Sequence, residues 1–511
     1  MNRGELRRKL EKRFFAHPLF QSSFSRRLFW PVTSLGLLYL LLLIPIPEAG
    51  SPTPAGKRPF AWNKDQYWSS LESSFVAARD EGCDKLTPAI HSRISQCTHL
   101  LDDLGRRQRA AEDAAFFTLE RDVFTLGPMI AACPEFLPDY FRTVVSIRST
   151  VKDQSLHWDM NALPVRDRLY RLLYGCRAAM EEVMLQVSPS SVPASILCTD
   201  EPSRTPSANI LGVRIHSGDI LVSRGGAATS ALIARGNDYP GNFSHVALVH
   251  VDSAGKVSII ESHIEKGVAV ASMDEYLQDT KLRVMVLRLR ADLPALVADP
   301  MLPAEVASHA LHAAQSRHIP YDFAMDFHDS TRFFCSEVVS DAYRKADITL
   351  WKGLSSISTS GVASWLAAFG VEHFETLEPS DLEYDPQLKV VAEWRDPDVL
   401  FRDHVDNAIT DAMLEGAEKG ERLGYDWYLL PLVRILKLYS SVLNVFGIVG
   451  PVPEGMSPAA ALRNRRFTSR HAMIKAEVLN RAQQFRKERG YVPPYWDLMN
   501  LARASKAGLH L

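Results

Sequence analysis

The stretch Arg332-Phe333-Phe334-Cys335-Ser336-Glu337-Val338-Val339 decides the fold of its part of the chain, because a cysteine stands where an aromatic, strand-like run becomes a helix. Earlier in the sequence, Phe243-Ser244-His245-Val246-Ala247-Leu248-Val249 puts a histidine where a loop enters an apolar strand. In thiol chemistry the thiolate is the nucleophile, and a nearby imidazole helps to generate it. We therefore expect the cysteine and the histidine to meet in a site for hydrolysis or acyl transfer.

The position of Cys335 at a predicted helix start favours this chemistry. Unpaired backbone N–H groups and the helix dipole stabilise a thiolate there, and the same N–H groups can form one side of an oxyanion hole. A structural role fits each residue taken singly as well. Cys335 shares a helical face with Val338, Val339 and Ala342, so it could be a core cysteine. His245 beside an apolar strand could be a structural histidine.

A predicted hairpin adds a carboxylate to the pair. The loop 252–255 ends in Gly255, which suits the positive φ of a three-residue hairpin loop. The resulting register puts His245 opposite His263, and the alternation of side chains puts Glu261 on the same face. Glu261 would then orient the imidazole, with His263 as the alternative orienting residue. A register slip of one residue would move Glu261 to the opposite face.

The order of these segments resembles the permuted papain-like amidases of the YaeF/YiiX type, relatives of the NlpC peptidoglycan hydrolases and of the lecithin:retinol acyltransferase family. The segments that carry the resemblance are 218–222, 244–249, 259–262, 321–322 and 333–339, and the tail 379–382 with 388–391 also looks like the end of such a domain. In this permuted fold the histidine strand precedes the nucleophile helix, as it does here. The resemblance covers roughly residues 207–395.

The resemblance implies a role for each matching residue. Cys335 would be the nucleophile, His245 the general base and acid, and Glu261 the orienting residue. Tyr321 and Asp322 match a recurring element whose role the sequence does not define, and Asp322 also fits a structural role. Together with Ser244 they are candidates for lining the site. No metal ligand is implied.

The pattern around these motifs predicts an α+β fold: a permuted papain-like (NlpC-like) catalytic domain with a small, mostly antiparallel sheet, flanked by helical regions and an N-terminal transmembrane helix. The catalytic domain is assigned to residues 207–395, a helical domain to 65–200 and a C-terminal helical region to 396–511. The predicted strands of the catalytic domain are 218–223, 246–251, 256–261, 268–270 and 282–289. Its predicted helices are 228–235, 304–316 and 335–345.

The N-terminus has the charge pattern of a membrane anchor. The first 27 residues carry eight Lys and Arg against two acidic residues, and the run 28–46 carries no charge. This run approaches the roughly 20 residues needed to cross a bilayer. We predict a basic cytoplasmic segment (1–27), a transmembrane anchor (28–46), a linker (51–64) and an exported catalytic domain, on the periplasmic side of a bacterial inner membrane. A cleaved signal peptide or a buried hydrophobic helix are the alternatives.

A second apolar segment, rich in Leu, Ile and Val, lies over residues 428–449. Arg434, Lys437, Ser441 and Asn444 recur there at spacings that draw one polar stripe down a helix. An amphipathic helix on a membrane would have this pattern, and so would a buried domain helix with a narrow polar edge.

The composition excludes several classes of function. A net charge of −2 and a pI near 6.8 give no basic field for nucleic acid. CxxC motifs, zinc-type Cys/His spacings and the GxxxxGK[ST] phosphate motif are absent from the sequence, so we predict no metal and no cofactor. Six cysteines are too few for a disulfide scaffold. Export would still allow pairs among Cys83, Cys97, Cys133, Cys176 and Cys198.

These observations together predict a membrane-anchored cysteine hydrolase, amidase- or peptidase-like, that works through a Cys335-His245-Glu261 triad and an acyl-enzyme. Its substrate would contain an amide or ester, as in a cell-wall peptide or a lipid. Two alternatives use the same domain. One is a lipid acyltransferase or lipid hydrolase with the same triad, and the other is a non-catalytic module that binds lipid or cell-wall peptide.

Overall fold

The computed structural model describes residues 23–45, 54–55 and 66–509. Most of the predicted basic segment and of the predicted linker lies outside the described residues. The helices, in chain order, are α1 Ser23–Leu43, α2 Gln66–Glu81, α3 Cys83–Arg106, α4 Ala114–Ala132, α5 Leu137–Ser155, α6 Leu163–Leu169, α7 Cys176–Gln186, α8 Ala228–Arg235, α9 Met273–Gln278, α10 Pro294–Ala298, α11 Leu302–Ser316, α12 Cys335–Arg344, α13 Ser360–Phe369, α14 Pro397–Glu418, α15 Leu430–Val445, α16 Pro458–Arg489 and α17 Tyr495–Gly508.

Eleven strands are formed by the described residues. They are β1 Ser195–Leu197, β2 Ser207–Ile210, β3 Val213–His216, β4 Ile220–Gly225, β5 His245–Val251, β6 Val257–His263, β7 Gly267–Ser272, β8 Lys281–Leu289, β9 Ser355–Ser356, β10 Glu375–Thr376 and β11 Leu388–Trp394. Seven of them build one sheet in the order β1-β11-β8-β4-β5-β6-β7. Every neighbouring pair in this sheet is antiparallel, which confirms the predicted α+β class.

Both faces of this sheet are covered, which explains why β5 is almost continuously apolar. Val246 and Leu248 point to the face that packs against α11 and α12. Ala247 and Val249 alternate to the other face, where the β2–β3 hairpin covers them with Val213 and other apolar side chains. The start of α12, which carries the cysteine, is therefore held against the strand that carries the histidine.

From Gln66 to the catalytic sheet the chain is mainly helical, except at its end. Helices α2 to α7 pack around one apolar core, and a disulfide joins Cys83, at the start of α3, to Cys133, directly after α4. Strand β1 lies inside the range predicted to be helical, yet it pairs with β11 at the edge of the catalytic sheet. A strand of three residues has too few positions to show an alternating pattern, which is why the sequence does not reveal it.

Buried ion pairs join the helical region to the catalytic sheet. Arg177 of α7 binds Glu383 through two hydrogen bonds of 3.0 and 2.8 Å. Glu181 of the same helix lies 2.7 Å from Arg283 of β8, and Arg283 also binds Asp403 of α14. These side chains are all buried. Removing one partner would leave a buried charge uncompensated, so the network fixes how the helices sit on the sheet.

Helix α15 departs from the prediction of a buried domain helix for residues 428–449. The helix ends at Val445, and a short 3-10 turn, Trp427–Leu429, precedes it. Its polar stripe faces the protein, because Arg434 donates to the carbonyl oxygens of Leu42 and Ile44 and Lys437 donates to that of Pro453. Its apolar side is exposed, so α15 is not a buried domain helix.

The exposed apolar side chains of α15 continue onto α1. They include Leu432, Ile435, Leu438, Val442 and Val445 of α15, and Trp30, Leu35, Leu38 and Leu41 of α1. The hydroxyl of Tyr39 in α1 donates to the carbonyl oxygen of Tyr428, 2.8 Å away. Among the described residues, one stretch, Trp427–Val445, is long and apolar enough to cross a membrane, and the apolar part of α1, Trp30–Leu43, is shorter.

Candidate active site

The hairpin that carries the histidine and the carboxylate has the predicted register. Ala247 pairs with Glu261. The same register, continued by two residues toward the start of β5, places His245 opposite His263. The backbone N–H of Asp252 donates to the carbonyl of Lys256, and Gly255 has a φ of +81°. Glycine adopts this left-handed conformation without the steric cost of a Cβ, which allows the three-residue loop.

Glu261 stands between the two histidines. Its Oε2 lies 2.7 Å from Nε2 of His245, and its Oε1 lies 2.9 Å from Nε2 of His263. The two imidazole rings are 5.5 Å apart. The Glu261 side chain is only 3% exposed, whereas both histidines are partly exposed. With Nε2 of His245 facing a carboxylate, Nδ1 is the ring nitrogen left for proton transfer.

The environment lowers the pKa values of both Glu261 and His245, for different reasons. Burial alone would raise the pKa of Glu261, but the hydrogen bonds from His245 and His263 outweigh it and keep that pKa well below its ordinary value. Burial lowers the pKa of His245, and the contact with Glu261 opposes this shift without cancelling it. His245 is therefore a neutral base at neutral pH, oriented by an ionised carboxylate.

Cys335 is the first residue of α12. Two contacts fix this helix start: the carboxylate of Glu337 accepts the backbone N–H of Phe334 at 2.9 Å, and Ser262 Oγ donates to the carbonyl of Phe333 at 2.7 Å. Ser262 follows Glu261 in β6. The helix that carries the cysteine is thus tied to the strand that carries the carboxylate.

The Cys335 sulfur adjoins the backbone on both sides of His245. It lies 4.0 Å from the carbonyl oxygen of Ser244, and the N–H groups of Val246 and Ser336 stabilise its charged form. Burial is the stronger effect and raises the pKa of the Cys335 thiol to about 12. In the described part of the chain, no hydrogen bond connects this sulfur with the His245 ring. The cysteine therefore rests as a neutral thiol.

Of the other site-lining candidates, Ser244 contributes its carbonyl, and Tyr321 and Asp322 belong to a loop beside the cysteine. The buried carboxylate of Asp322 accepts the N–H groups of Ala324 and Asp326 at 2.9 and 2.6 Å. This contact shapes the loop, so Asp322 has a structural role. The ring of Tyr321 meets that of Phe323 edge to face.

A cavity of about 100 Å³ borders Cys335, and we call it the Cys335 cavity. Its apolar wall is formed by Leu232, Ile233, Ile264, Phe323, Met325, Phe334, Leu366, Phe369, Val371 and Met456. His245 is not part of this wall. Glu378 is, and its Oε2 has no hydrogen-bond partner among the described residues. Glu378 is not recognisable from the sequence, because a single acidic residue before Pro379 forms no pattern that marks it.

Among the residues that the structure describes, two groups of side chains have the chemistry and spacing to hold a metal ion. The ligand atoms of His245, Glu261 and His263 lie within 4.8 Å of one another, as do those of Cys83, Cys133 and Glu135. In the second group the two cysteines form a disulfide, which removes the thiolate ligands. A cation on the first group would compete with the hydrogen bond between His245 and Glu261.

Residues 214–392 match the family model described as the permuted papain-like amidase enzyme, YaeF/YiiX, C92 family. The match confirms the resemblance found in the sequence for this segment, and the family is one of amidase enzymes. Three solved chains are similar to this one. One of them, the metalloprotein yiiX from Escherichia coli O157:H7, has 18% sequence identity and a TM-score of 0.29, and the alignment covers 35% of this chain and 97% of that chain. The comparison with curated proteins returned no match.

Proposed function

We propose that this chain is a membrane-anchored cysteine hydrolase. The segment that matches the permuted papain-like amidases would be its catalytic domain, with Cys335 as nucleophile, His245 as base and acid, and Glu261 as orienting residue. The observation that carries the proposal is the 2.7 Å contact between Nε2 of His245 and Glu261, next to a thiol that adjoins the backbone of Ser244 and Val246. A nucleophile, a base and a group that orients the base are the parts that covalent catalysis requires.

The proposed reaction has two steps. In the first, the thiol proton passes to Nδ1 of His245 while the sulfur bonds to the carbonyl carbon, and the C–N or C–O bond to the leaving group breaks as that group takes the proton. In the second, His245 takes a proton from water, the hydroxyl adds to the thioester, and the C–S bond breaks to release the acid and restore the thiol. Because the resting thiol is neutral, proton transfer accompanies the attack.

The start of α12 supplies stabilisation for the negative charge on the carbonyl oxygen. Backbone N–H groups at a helix N-terminus are unpaired and point outward, and such donors stabilise an oxyanion. The N–H of Ser336 already faces the sulfur. This arrangement supports the assignment of Cys335, and not another of the chain's six cysteines, as the nucleophile.

Turnover by matched cysteine variants tests the proposal. The full chain in detergent is assayed on peptide amides and on esters at pH 7.5. We expect Cys335→Ser to lose turnover while its thermal unfolding is unchanged, and Cys198→Ser, at an unpaired cysteine outside the site, to keep it. Wild-type turnover in Cys335→Ser would refute the assignment. If the wild type turns over none of the peptide amides or esters but still binds them, the non-catalytic module is favoured.

Membrane anchoring is supported by the apolar surface that α1 and α15 share. Leu438 is 69% exposed and Val445 is 82% exposed, although both are large apolar residues. The basic residues before position 28 favour an N-terminus on the cytoplasmic side, and the Cys83–Cys133 disulfide favours an oxidising compartment for the rest. An alkaline phosphatase fusion at residue 60 tests this topology. Activity is expected, and an inactive fusion would mean that the catalytic domain stays in the cytoplasm.

A further inference from the structure

The segment between α15 and α16 closes one side of the Cys335 cavity. It lies outside the matching residues 214–392, and we call its residues 450–457 the strap. Met456 of the strap forms part of the cavity wall and is 5% exposed. Cys335 itself is 6% exposed, so little of the thiol is open to solvent. A substrate carbonyl has to come close to the sulfur before it is attacked, and the wall therefore has to open for turnover.

The chemistry of the cavity fits a closed state that excludes water. Its wall contains no Lys, Arg or His among the described residues. Oε2 of the buried Glu378 has no hydrogen-bond partner in the described part of the chain, and burial raises the pKa of this carboxyl to about 8, so that it is neutral at neutral pH. A carboxyl without a partner gains hydrogen bonds when water reaches it. The cavity is thus uncharged while it is closed, and opening lets this group become hydrated.

The strap packs on the loop beside the cysteine. A Cβ at Gly455 would lie 2.6 Å from the Phe323 ring and 3.2 Å from the carbonyl oxygen of Tyr321, so the backbone of the strap touches this loop directly. Oε1 of Glu454 lies 2.8 Å from Nε2 of His318, whose side chain is exposed. Exposed ion pairs add little to stability, so this contact is one that the strap gives up at small cost.

Buried hydrogen bonds tie the strap to α15. Lys437 donates to the carbonyl oxygens of Pro453 and Glu454, at 2.7 and 2.5 Å. The backbone N–H of Val452 donates to Oγ of Ser440 at 3.0 Å, and both of these residues are buried. A displacement of α15 therefore carries the strap with it.

The other side of α15 is the apolar surface that supports membrane anchoring. Ile435, Leu438 and Val442 are exposed there, and the surface continues onto α1. Residues 1–27 carry eight Lys and Arg, as segments beside a membrane often do. A lipid surface that takes up these apolar side chains stabilises the position of α15 that buries them more fully. Because the strap follows α15, the same binding free energy acts on the wall of the Cys335 cavity.

We infer that the strap is a lid controlled by a lipid surface: when the apolar side of α15 enters the membrane, the helix draws the strap off Phe323 and opens the Cys335 cavity. The inference rests on the proposed function and adds its regulation. The open position has to bury more of α15 in lipid than the closed one, since a surface that binds both equally shifts neither. A second copy of the chain is the competing occupant of this apolar side.

Alkylation of Cys335 measures the open state. The full chain is reconstituted into vesicles of phosphatidylcholine and phosphatidylglycerol and treated with N-ethylmaleimide, and the labelled Cys335 peptide is quantified by mass spectrometry. Leu438→Lys removes a side chain that the open state buries more fully, so the alkylation rate should fall at least about tenfold. Val297→Lys, outside α1 and α15 and 68% exposed against 69% for Leu438, is the control and should keep the wild-type rate. Equal rates in Leu438→Lys and wild type would overturn the inference.

Release of the strap should replace the action of the membrane. Gly455→Val drives the backbone away from the Phe323 ring, so adding it to Leu438→Lys should restore the wild-type alkylation rate. Gly424→Val, at a glycine with open space around its Cβ, is the control and should leave the rate of Leu438→Lys low. Glu454→Gln, which breaks the ion pair of the strap, should raise that rate as well and disturbs the packing less. If the rate stays low in every folded strap variant, the inference is overturned.

Dilution and turnover separate the remaining outcomes. A wild-type alkylation rate that is independent of the protein-to-lipid ratio supports a lipid surface, whereas a rate that falls on dilution would show that a second copy covers α15 and would overturn the inference. Turnover of soluble esters is measured on the same vesicles. If no variant turns over esters while the alkylation rates follow the prediction, the lid is supported and the proposed function fails. If Leu438→Lys turns over esters as fast as wild type, the lid is overturned and the proposed function stands.

Discussion

Nε2 of His245 and Oε2 of Glu261 lie 2.7 Å apart because β5 and β6 pair Ala247 with Glu261. The carboxylate thereby selects the tautomer of the imidazole, with its proton on Nε2 and Nδ1 left as the base. His263 binds the other oxygen of the same carboxylate. The orientation of the base therefore depends on the strand register, and Glu261 is the residue through which both histidines are connected.

Replacement of this carboxylate tests its orienting role. Glu261→Gln can still accept a hydrogen bond from His245, but it lacks the negative charge that stabilises the imidazolium. We expect kcat/KM to fall by about 10²- to 10⁴-fold. His263→Ala, which leaves the contact of His245 intact, is the comparison and should cost less than about tenfold. If His263→Ala lowers kcat/KM as much as Glu261→Gln does, His263 is the orienting residue instead.

The neutral carboxyl of Glu378 predicts a pH-dependent stability. Its pKa is about 8 in the folded chain and about 4.3 when unfolded, because burial disfavours the charged form. Its stabilising contribution is fully present below the lower value and is lost as pH rises toward the higher one. The free energy of unfolding of Glu378→Gln, relative to that of the wild type, should therefore rise by a few kcal/mol from pH 5 to pH 8.

Urea unfolding of the Glu378→Gln variant and the wild type at the two pH values measures this difference. A stability difference that is the same at pH 5 and at pH 8 would show that Glu378 ionises normally in the folded chain. Such a result would also remove one argument for an uncharged Cys335 cavity.

The contact between Glu383 and Arg177 predicts a large effect on stability far from the cysteine. Glu383 is 1% exposed and binds both Arg177 and Arg148. Glu383→Gln leaves two buried guanidinium groups short of a counter-charge, and about 3–5 kcal/mol of unfolding free energy should be lost. Glu415→Gln breaks the partly exposed pair with Arg503 and should cost at most about 1 kcal/mol. Similar losses in the two variants would contradict the structural role of the network.

Much of the site follows from local patterns in the sequence. Gly255 and the alternation along β5 and β6 predict the register, because a three-residue loop leaves one pairing that keeps the apolar side chains buried. Glu378 and Ser262 escape such reasoning, since their contacts with the Cys335 cavity and Phe333 join distant parts of the chain. The polar stripe of α15 is visible in the sequence, but periodicity does not tell whether that stripe faces water or the protein.

The disulfide predicts a thiol count. All six cysteines are described, and Cys97, Cys176, Cys198 and Cys335 are unpaired. Protein purified without reductant and then denatured should show four reactive thiols, and a non-reducing digest should contain a peptide that joins Cys83 to Cys133. Reduction should lower the free energy of unfolding by about 2–4 kcal/mol. Six thiols in the oxidised preparation would contradict both the bridge and the argument for an oxidising compartment.

The most direct test of the account is to find the acyl-enzyme. The full chain is mixed with p-nitrophenyl hexanoate, quenched in acid within milliseconds to seconds, digested and analysed by mass spectrometry. The account predicts a hexanoyl group on the Cys335 peptide that forms about 100-fold more slowly in His245→Ala. A hexanoyl group on another residue, or undiminished turnover in Cys335→Ala, would contradict it.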